Sequence, residues 1–122
     1  MWVLFIARNV SRTIVQAYAS PDIADSSDKD DFYRDLGGVL RDVPGRDFLI
    51  VLGDFNARVG NDTKRWKGVV GRQGVAEEPS DNGKRLLSIC ATYDCHLCAS
   101  LGPVSNTRIY IKVYLVPEGH WF

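Results

Sequence analysis

The residues best suited to chemistry in this 122-residue sequence are Asp54 and Asn56, which are separated by one phenylalanine. A carboxylate can accept a proton from water that attacks phosphorus, and a carboxamide can donate a hydrogen bond to a phosphoryl oxygen. Both follow the apolar run Phe48 to Leu52, which predicts a strand buried on both faces. Ligands bind beyond the carboxyl ends of strands in α/β sheets, so a site is expected here. The structural alternative is an Asx turn that leads the chain out of the strand.

Two strands and a helix are predicted ahead of this segment. The apolar runs Trp2 to Ala7 and Thr13 to Ala19 are typical of adjacent strands joined by a turn. Ser26 or Ser27 can cap a helix, and Pro44 with its following glycine ends it. The apolar face of that helix consists of Phe32, Tyr33, Leu36, Val39, Leu40 and Val43.

The second half of the chain is predicted to contain a long loop, a helix and two strands. The loop runs from residue 57 to residue 80. Asp81 or Asn82 is expected to cap a helix that extends through Tyr93. A short strand at His96–Ala99 and a later strand at Ile109–Val116 follow. Residues 1–122 therefore predict one domain of the α/β or α+β class.

The loop contains a local excess of positive charge, although the whole chain balances 15 basic against 15 acidic residues. Between residues 57 and 75 the charged residues are Arg58, Lys64, Arg65, Lys67 and Arg72, opposed by Asp62 alone. One interpretation is a surface that follows a nucleic-acid backbone, and the other is an ordinary solvated loop. Trp66 in the same loop either stacks on a base or packs beneath the loop, and packing is the favoured interpretation.

Three cysteines, Cys90, Cys95 and Cys98, form a poor disulfide framework and indicate a reducing compartment. The amino-terminal apolar run is too short for a signal peptide, and no stretch approaches the roughly 20 apolar residues of a membrane span. We therefore expect an intracellular protein, nuclear or cytoplasmic, without a membrane partner. Together with His96, the cysteines suggest zinc, but adjacent Cys95 and His96 fit one tetrahedral centre poorly. The alternative is that the cysteines serve as small hydrophobic residues at core positions, which the family resemblance described below implies.

Several segments together resemble the endonuclease/exonuclease/phosphatase family, in the form found in LINE-type retrotransposon endonucleases and craniofacial development protein 2-like proteins. The segment Ile50–Gly60, IVLGDFNARVG, is similar to the central motif of that family. Further similar segments lie in the family's order at Gln16–Pro21, Asp31–Leu36, Trp66–Gly71 and Asn82–Leu87. The resemblance implies an α/β fold, a partial two-layered α/β sandwich of the DNase I-like type.

The resemblance also implies roles for three residues. Asp54 would orient and deprotonate the attacking water, Asn56 would hold the scissile phosphate, and Tyr18 would hydrogen-bond that phosphate through its hydroxyl. The implied cofactor is a divalent cation, Mg²⁺ or Mn²⁺, that neutralises charge on a phosphodiester. DNA is the implied partner and substrate.

Other parts of the family pattern have no match in this sequence. The glutamate that chiefly binds the metal and the downstream Ser-Asp-His signature are both without a counterpart. Ser80 and Asp81 are followed by Asn82, and His120 lies in a stretch similar to one that precedes the family's next motif. We therefore expect a single, incomplete domain with weak or no activity by itself. The alternative is a non-catalytic remnant, or a nucleic-acid-binding module, of a retrotransposon-derived protein.

Overall fold

The computed structural model describes residues 3–9, 12–21, 23–44, 48–71, 78–93, 95–97 and 109–113. Five strands and two helices occur in this part of the chain: β1 (Val3–Asn9), β2 (Arg12–Tyr18), α1 (Ser26–Asp42), β3 (Phe48–Asp54), α2 (Asp81–Thr92), β4 (His96–Leu97) and β5 (Ile109–Val113). Neither helix combines the length and the apolar character needed to cross a membrane.

The strands form one sheet in the order β1-β2-β3-β5-β4. The edge strand β1 is antiparallel to β2, whereas the remaining pairs, β2 with β3, β3 with β5 and β5 with β4, are parallel. Tyr18 at the end of β2 is the register partner of Asp54 at the end of β3. The parallel arrangement thus places the carboxyl ends of β2 and β3 side by side, where the sequence predicted a site.

Both helices pack on one face of the sheet. Strand β2 alternates strictly, with Thr13, Val15 and Ala17 buried and their neighbours exposed. The buried strand residues join the helices in one core cluster, to which α1 contributes Phe32, Leu36 and Leu40, and α2 contributes Leu86, Leu87, Ile89 and Cys90. This arrangement confirms the predicted α/β class, with one layer of helices on one layer of strands.

Burial of β3 on both faces is a prediction that holds for one face only. Leu49 and Val51 are almost fully buried beneath the helices, whereas Ile50 and Leu52 are only partly buried. On the neighbouring strand, Ile14 and Tyr18 are 42% and 50% exposed. A continuous apolar run does not distinguish a covered face from an open one, because every residue in it is apolar.

The predicted elements are confirmed with shifted ends. Helix α1 begins after Asp25, whose side chain makes no capping hydrogen bond, so neither Ser26 nor Ser27 is the cap. It ends before Pro44, as predicted. The cap of α2 is Ser80, not Asp81 or Asn82. The predicted ends of the last two strands, 98–99 and 114–116, lie outside the described residues.

Candidate functional site

Asp54 and Asn56 form a tight turn at the end of β3. Asp54 is 7% exposed as a residue, and its Oδ1 accepts a hydrogen bond from the Asn56 backbone N–H at 2.9 Å. This is the Asx turn that the sequence offered as the structural alternative. The turn leaves other lone pairs on the carboxylate, because an ionised carboxylate has about four acceptor positions. The structural and the chemical interpretations are therefore compatible.

Two backbone conformations make this turn possible. Gly53 has a φ of 151°, and a Cβ at that position would lie 1.7 Å from the Ala17 carbonyl oxygen. Asn56 has a φ of 46°, in the left-handed region that asparagine tolerates better than most residues. A glycine before Asp54 and an asparagine after Phe55 thus satisfy geometric demands of the turn itself.

The end of β2 is bonded to the same turn. The Ala19 N–H donates to the Asp54 carbonyl at 2.9 Å, and the Asn56 Nδ2 donates to the Ala19 carbonyl at 2.9 Å. One residue earlier, the half-exposed Tyr18 lies in register with Asp54, on strands that are about 4.8 Å apart. The structure therefore brings the three predicted site residues together at two adjoining strand ends.

Asn82, in the first turn of α2, joins both strand ends. Its Nδ2 donates to the Ser20 carbonyl at 2.9 Å and to the Asn56 carbonyl at 3.0 Å, and the residue is 1% exposed. Sequence reasoning assigned Asn82 only a possible capping role and missed this contact. The available signal was the similarity of the segment that begins at Asn82 to a family motif.

Ser80 and Gly83 hold the loop that follows Asn56 against α2. The Arg58 N–H donates to Ser80 Oγ at 3.0 Å, and the Ser80 N–H donates to the Arg58 carbonyl at 2.9 Å. The same Ser80 Oγ caps the helix by accepting from the Gly83 N–H at 3.1 Å. A Cβ on Gly83 would lie 1.8 Å from the Arg58 carbonyl oxygen, so only glycine permits this approach.

An ion network connects the start of α2 to α1. Asp81 accepts from Lys29 Nζ and from Arg85 Nε, both at 3.0 Å, and Arg85 also pairs with Asp30. The hydrogen bonds from Lys29 and then from Arg85 lower the pKa of Asp81. The bond to Asp30 is the chief cause that raises the pKa of Arg85. Lys29 is buried along its length, while its partner carboxylate is half exposed.

The basic residues of the loop do not all lie together. Arg58 is exposed next to the site, and its Nε donates to the Glu78 carbonyl at 2.9 Å. The exposed Lys64, Arg65 and Lys67 lie in a turn over residues 63–69, whose end is bonded to β4 through Leu97 N–H and the Val69 carbonyl at 3.0 Å. Arg72 lies outside the described residues.

Trp66 packs against the core, with the Arg65 guanidinium 5.5 Å from its ring centroid. The prediction that it packs beneath the loop is confirmed. Cys90 and Cys95 are free thiols with no exposed surface, as expected of core positions. Burial, followed by a hydrogen bond with Cys95, raises the pKa of the Cys90 thiol, so that thiol stays protonated. Cys98 lies outside the described residues.

Fold and site together define an α/β protein with a polar cluster of Asp54, Asn56 and Tyr18 at the carboxyl ends of two adjacent parallel strands. Asn82, from the start of α2, supports that cluster from the helix layer.

Two curated relatives are similar to nearly the whole of this chain. Craniofacial development protein 2 of Bos taurus is 29% identical over 119 residues, which cover 98% of this chain and 19% of the relative. The protein of the same name from Tragulus javanicus is 27% identical over 117 residues, which cover 96% and 20%. The chain thus spans about a fifth of the length of these relatives. No family model and no solved structure matches it.

The close approach of α2 to the site loop predicts opposite effects for two glycine-to-alanine changes. Alanine normally stabilises a helix by about 0.5–1 kcal/mol over glycine. Gly38→Ala should do so, because its nearest obstacle is the mobile end of Arg41, 3.8 Å away. Gly83→Ala should lower the free energy of unfolding by about 1–3 kcal/mol, because its Cβ collides with backbone. Urea denaturation measures both, and a stabilising Gly83→Ala would contradict the described contact.

The ion network predicts an acid-sensitive contribution to stability. Because the pKa of Asp81 is lower in the folded chain, its contribution is fully present above the ordinary aspartate range and is lost as pH falls through that range. The stability difference between the wild type and Asp81→Asn should therefore be largest near neutral pH and should vanish in acid. Thermal denaturation across pH measures it, and added salt should reduce it. A difference that grows in acid would contradict the network.

Proposed function

We propose that this chain carries part of the active site of a metal-dependent phosphodiesterase of the endonuclease/exonuclease/phosphatase family, with DNA as substrate. The observation that carries the proposal is the convergence of Asp54, Asn56 and Tyr18 at the joined ends of β2 and β3. The resemblance of the surrounding segments to that family supports it, as does the similarity to craniofacial development protein 2.

Asp54, Asn56 and Tyr18 each retain hydrogen-bonding groups that could act on a substrate. Asp54 Oδ1 is engaged by the turn, and the carboxylate retains lone pairs to accept a proton from water. One Nδ2 hydrogen of Asn56 bonds Ala19, which leaves the second hydrogen for a phosphoryl oxygen. Tyr18 is half exposed, so its hydroxyl can reach a phosphate from solvent. Together they would hold a water and a phosphate in line.

A divalent cation, Mg²⁺ or Mn²⁺, belongs to the proposal, and when bound it would neutralise charge on the phosphodiester. The described residues do not by themselves fit a cation cage, since none of their His, Cys, Asp and Glu side chains gather in groups of three or more. At the strand ends Asp54 is the carboxylate at hand, and one of its oxygens already accepts a backbone N–H. A cation would require oxygen ligands beyond these residues.

A non-catalytic nucleic-acid-binding module is the second candidate. It is favoured by the exposed basic side chains of the 63–69 turn, together with the exposed Arg58 beside the strand ends. Such residues bind the phosphate backbone without reading sequence, and their effect depends strongly on salt. The two functions differ in whether the Asp54 carboxylate is needed.

The catalytic proposal predicts slow nicking of supercoiled plasmid in Mg²⁺ or Mn²⁺. Asp54→Ala should reduce the rate by about 10²–10⁴-fold, because a general base contributes that much. Asp42→Ala is the matched control, since this carboxylate is 71% exposed on α1 and its ion pair is with the neighbouring Arg41. Equal nicking by wild type and Asp54→Ala would indicate a contaminant, and no nicking by folded wild-type protein would favour the non-catalytic candidate for this chain by itself.

The binding candidate predicts a measurable salt effect. Replacing Lys64 and Lys67 together by alanine should weaken DNA binding and reduce the slope of log K against log salt by about 1 for each phosphate that the protein no longer neutralises. Lys84→Ala is the matched control, because Lys84 is also exposed but lies on α2. Fluorescence anisotropy with a labelled duplex measures the slope. A slope that changes equally in both proteins would exclude the turn as the binding surface.

A further inference from the structure

We propose that Asn82 is a positioning residue, whose carboxamide fixes the backbone of the Asp54–Asn56 turn and so aims both side chains at a substrate. The catalytic meaning of this inference rests on the proposed function. The structural part stands by itself, because it concerns hydrogen bonds between α2 and two strand ends.

The carboxamide of Asn82 connects two separate segments with one nitrogen. Its Nδ2 hydrogens go to the carbonyls of Ser20 and Asn56, which follow β2 and β3 by two residues each. Asn82 is 1% exposed as a residue, so water does not replace these bonds at low cost. A side chain of similar shape without an amide group would leave both carbonyls without this donor.

The Asn56 carbonyl belongs to the residue whose conformation is least favourable in the turn. Asn56 has a φ of 46°, and the structure around it must maintain that conformation. Three hydrogen bonds do so: its N–H to Asp54 Oδ1, its Nδ2 to Ala19, and its carbonyl from Asn82. Of these three, the last comes from the helix layer, so it ties the turn to a rigid element.

Asn82 is itself held in place from three sides. Its carbonyl accepts from the Tyr33 hydroxyl at 3.3 Å, and its neighbour Asp81 is bonded to Lys29. The pair of hydrogen bonds between Ser80 and Arg58 fixes the same turn of helix against the site loop. Because Ser80 caps α2, the Asn82 side chain is not needed as a cap and donates to the carbonyls after the two strands instead. Such a second layer of contacts is what keeps a site in one geometry.

A purely structural role would make Asn82 only an attachment between α2 and the sheet. In that case its loss would lower stability generally, and the Asn56 amide would stay as protected as before relative to the rest of the chain. If Asn82 positions the turn, its loss should instead lower the protection of the Asn56 amide more than that of amides elsewhere in the chain. Amide hydrogen exchange followed by NMR separates the two, because the Asn56 N–H makes a defined bond to Asp54 Oδ1.

The test uses Asn82→Asp, whose carboxylate keeps the shape but cannot donate, and Asn82→Ala. Thr92→Val is the matched control, because it removes a side-chain bond to the Ser88 carbonyl at the other end of α2 and leaves the Asn82 carboxamide. We expect the protection of the Asn56 amide to fall at least about tenfold relative to amides of α1 in both Asn82 variants, and not in the control. Unchanged relative protection would overturn the inference. An Asn56 amide unprotected in the wild type would overturn it even if the variants do not fold.

Plasmid nicking supplies the catalytic readout. In Asn82→Asp we expect kcat to fall by about 10–100-fold while KM for DNA changes less than about twofold, because misplacement by an ångström has such an effect on rate. An unchanged kcat in a variant whose Asn56 amide has lost protection would refute the positioning role. Absence of nicking by the folded wild type would count against catalysis by this chain by itself and not against the positioning of the turn, since the exchange measurement still decides whether Asn82 holds the turn.

Discussion

Two parallel strands end next to each other inside the molecule, and the backbone groups at those ends must be hydrogen-bonded although the ladder has stopped. Burial makes an unpaired carbonyl there costly, by about 1–3 kcal/mol. Asn82 supplies the donor for one carbonyl after each strand, and the Asn56 side chain supplies the donor for Ala19. The start of α2, the turn after β3 and the exit from β2 are therefore one unit. The arrangement of Asp54, Asn56 and Tyr18 depends on this unit.

The helix layer supports that unit in two ways. Apolar packing holds α1 and α2 on one face of the sheet, where Phe32 also contacts Phe55 of the turn at a ring-centroid distance of 6.3 Å. The ion network of Lys29, Asp81 and Arg85 then sets the start of α2 relative to α1. Packing contributes most of the stability, because ion pairs whose carboxylate is half exposed to water are worth little. The network instead sets the position of the first turn of α2, which is the part of the helix that contacts the strand ends.

Much of the fold was predictable because its signals are local. Apolar runs indicated β2 and β3, helical spacing indicated α1, and Pro44 indicated where α1 ends. Capping was predicted less well. Ser80 lies one residue before Asp81 and two before Asn82, the two predicted caps, and all three residue types are good caps. Which of them is used depends on the site loop, since Ser80 also bonds Arg58. No local signal contains that information.

The sequence by itself determined that a carboxylate and a carboxamide leave the end of an apolar strand, because an apolar run followed by Gly-Asp-Phe-Asn encodes both the strand and the turn. It did not determine what fixes their direction. That was decided by tertiary structure, which brings Asn82 from 26 positions after Asn56 to within 3.0 Å of its carbonyl. Contacts between distant segments depend on how helices pack on the sheet, and periodicity along the chain does not specify which side chains then meet.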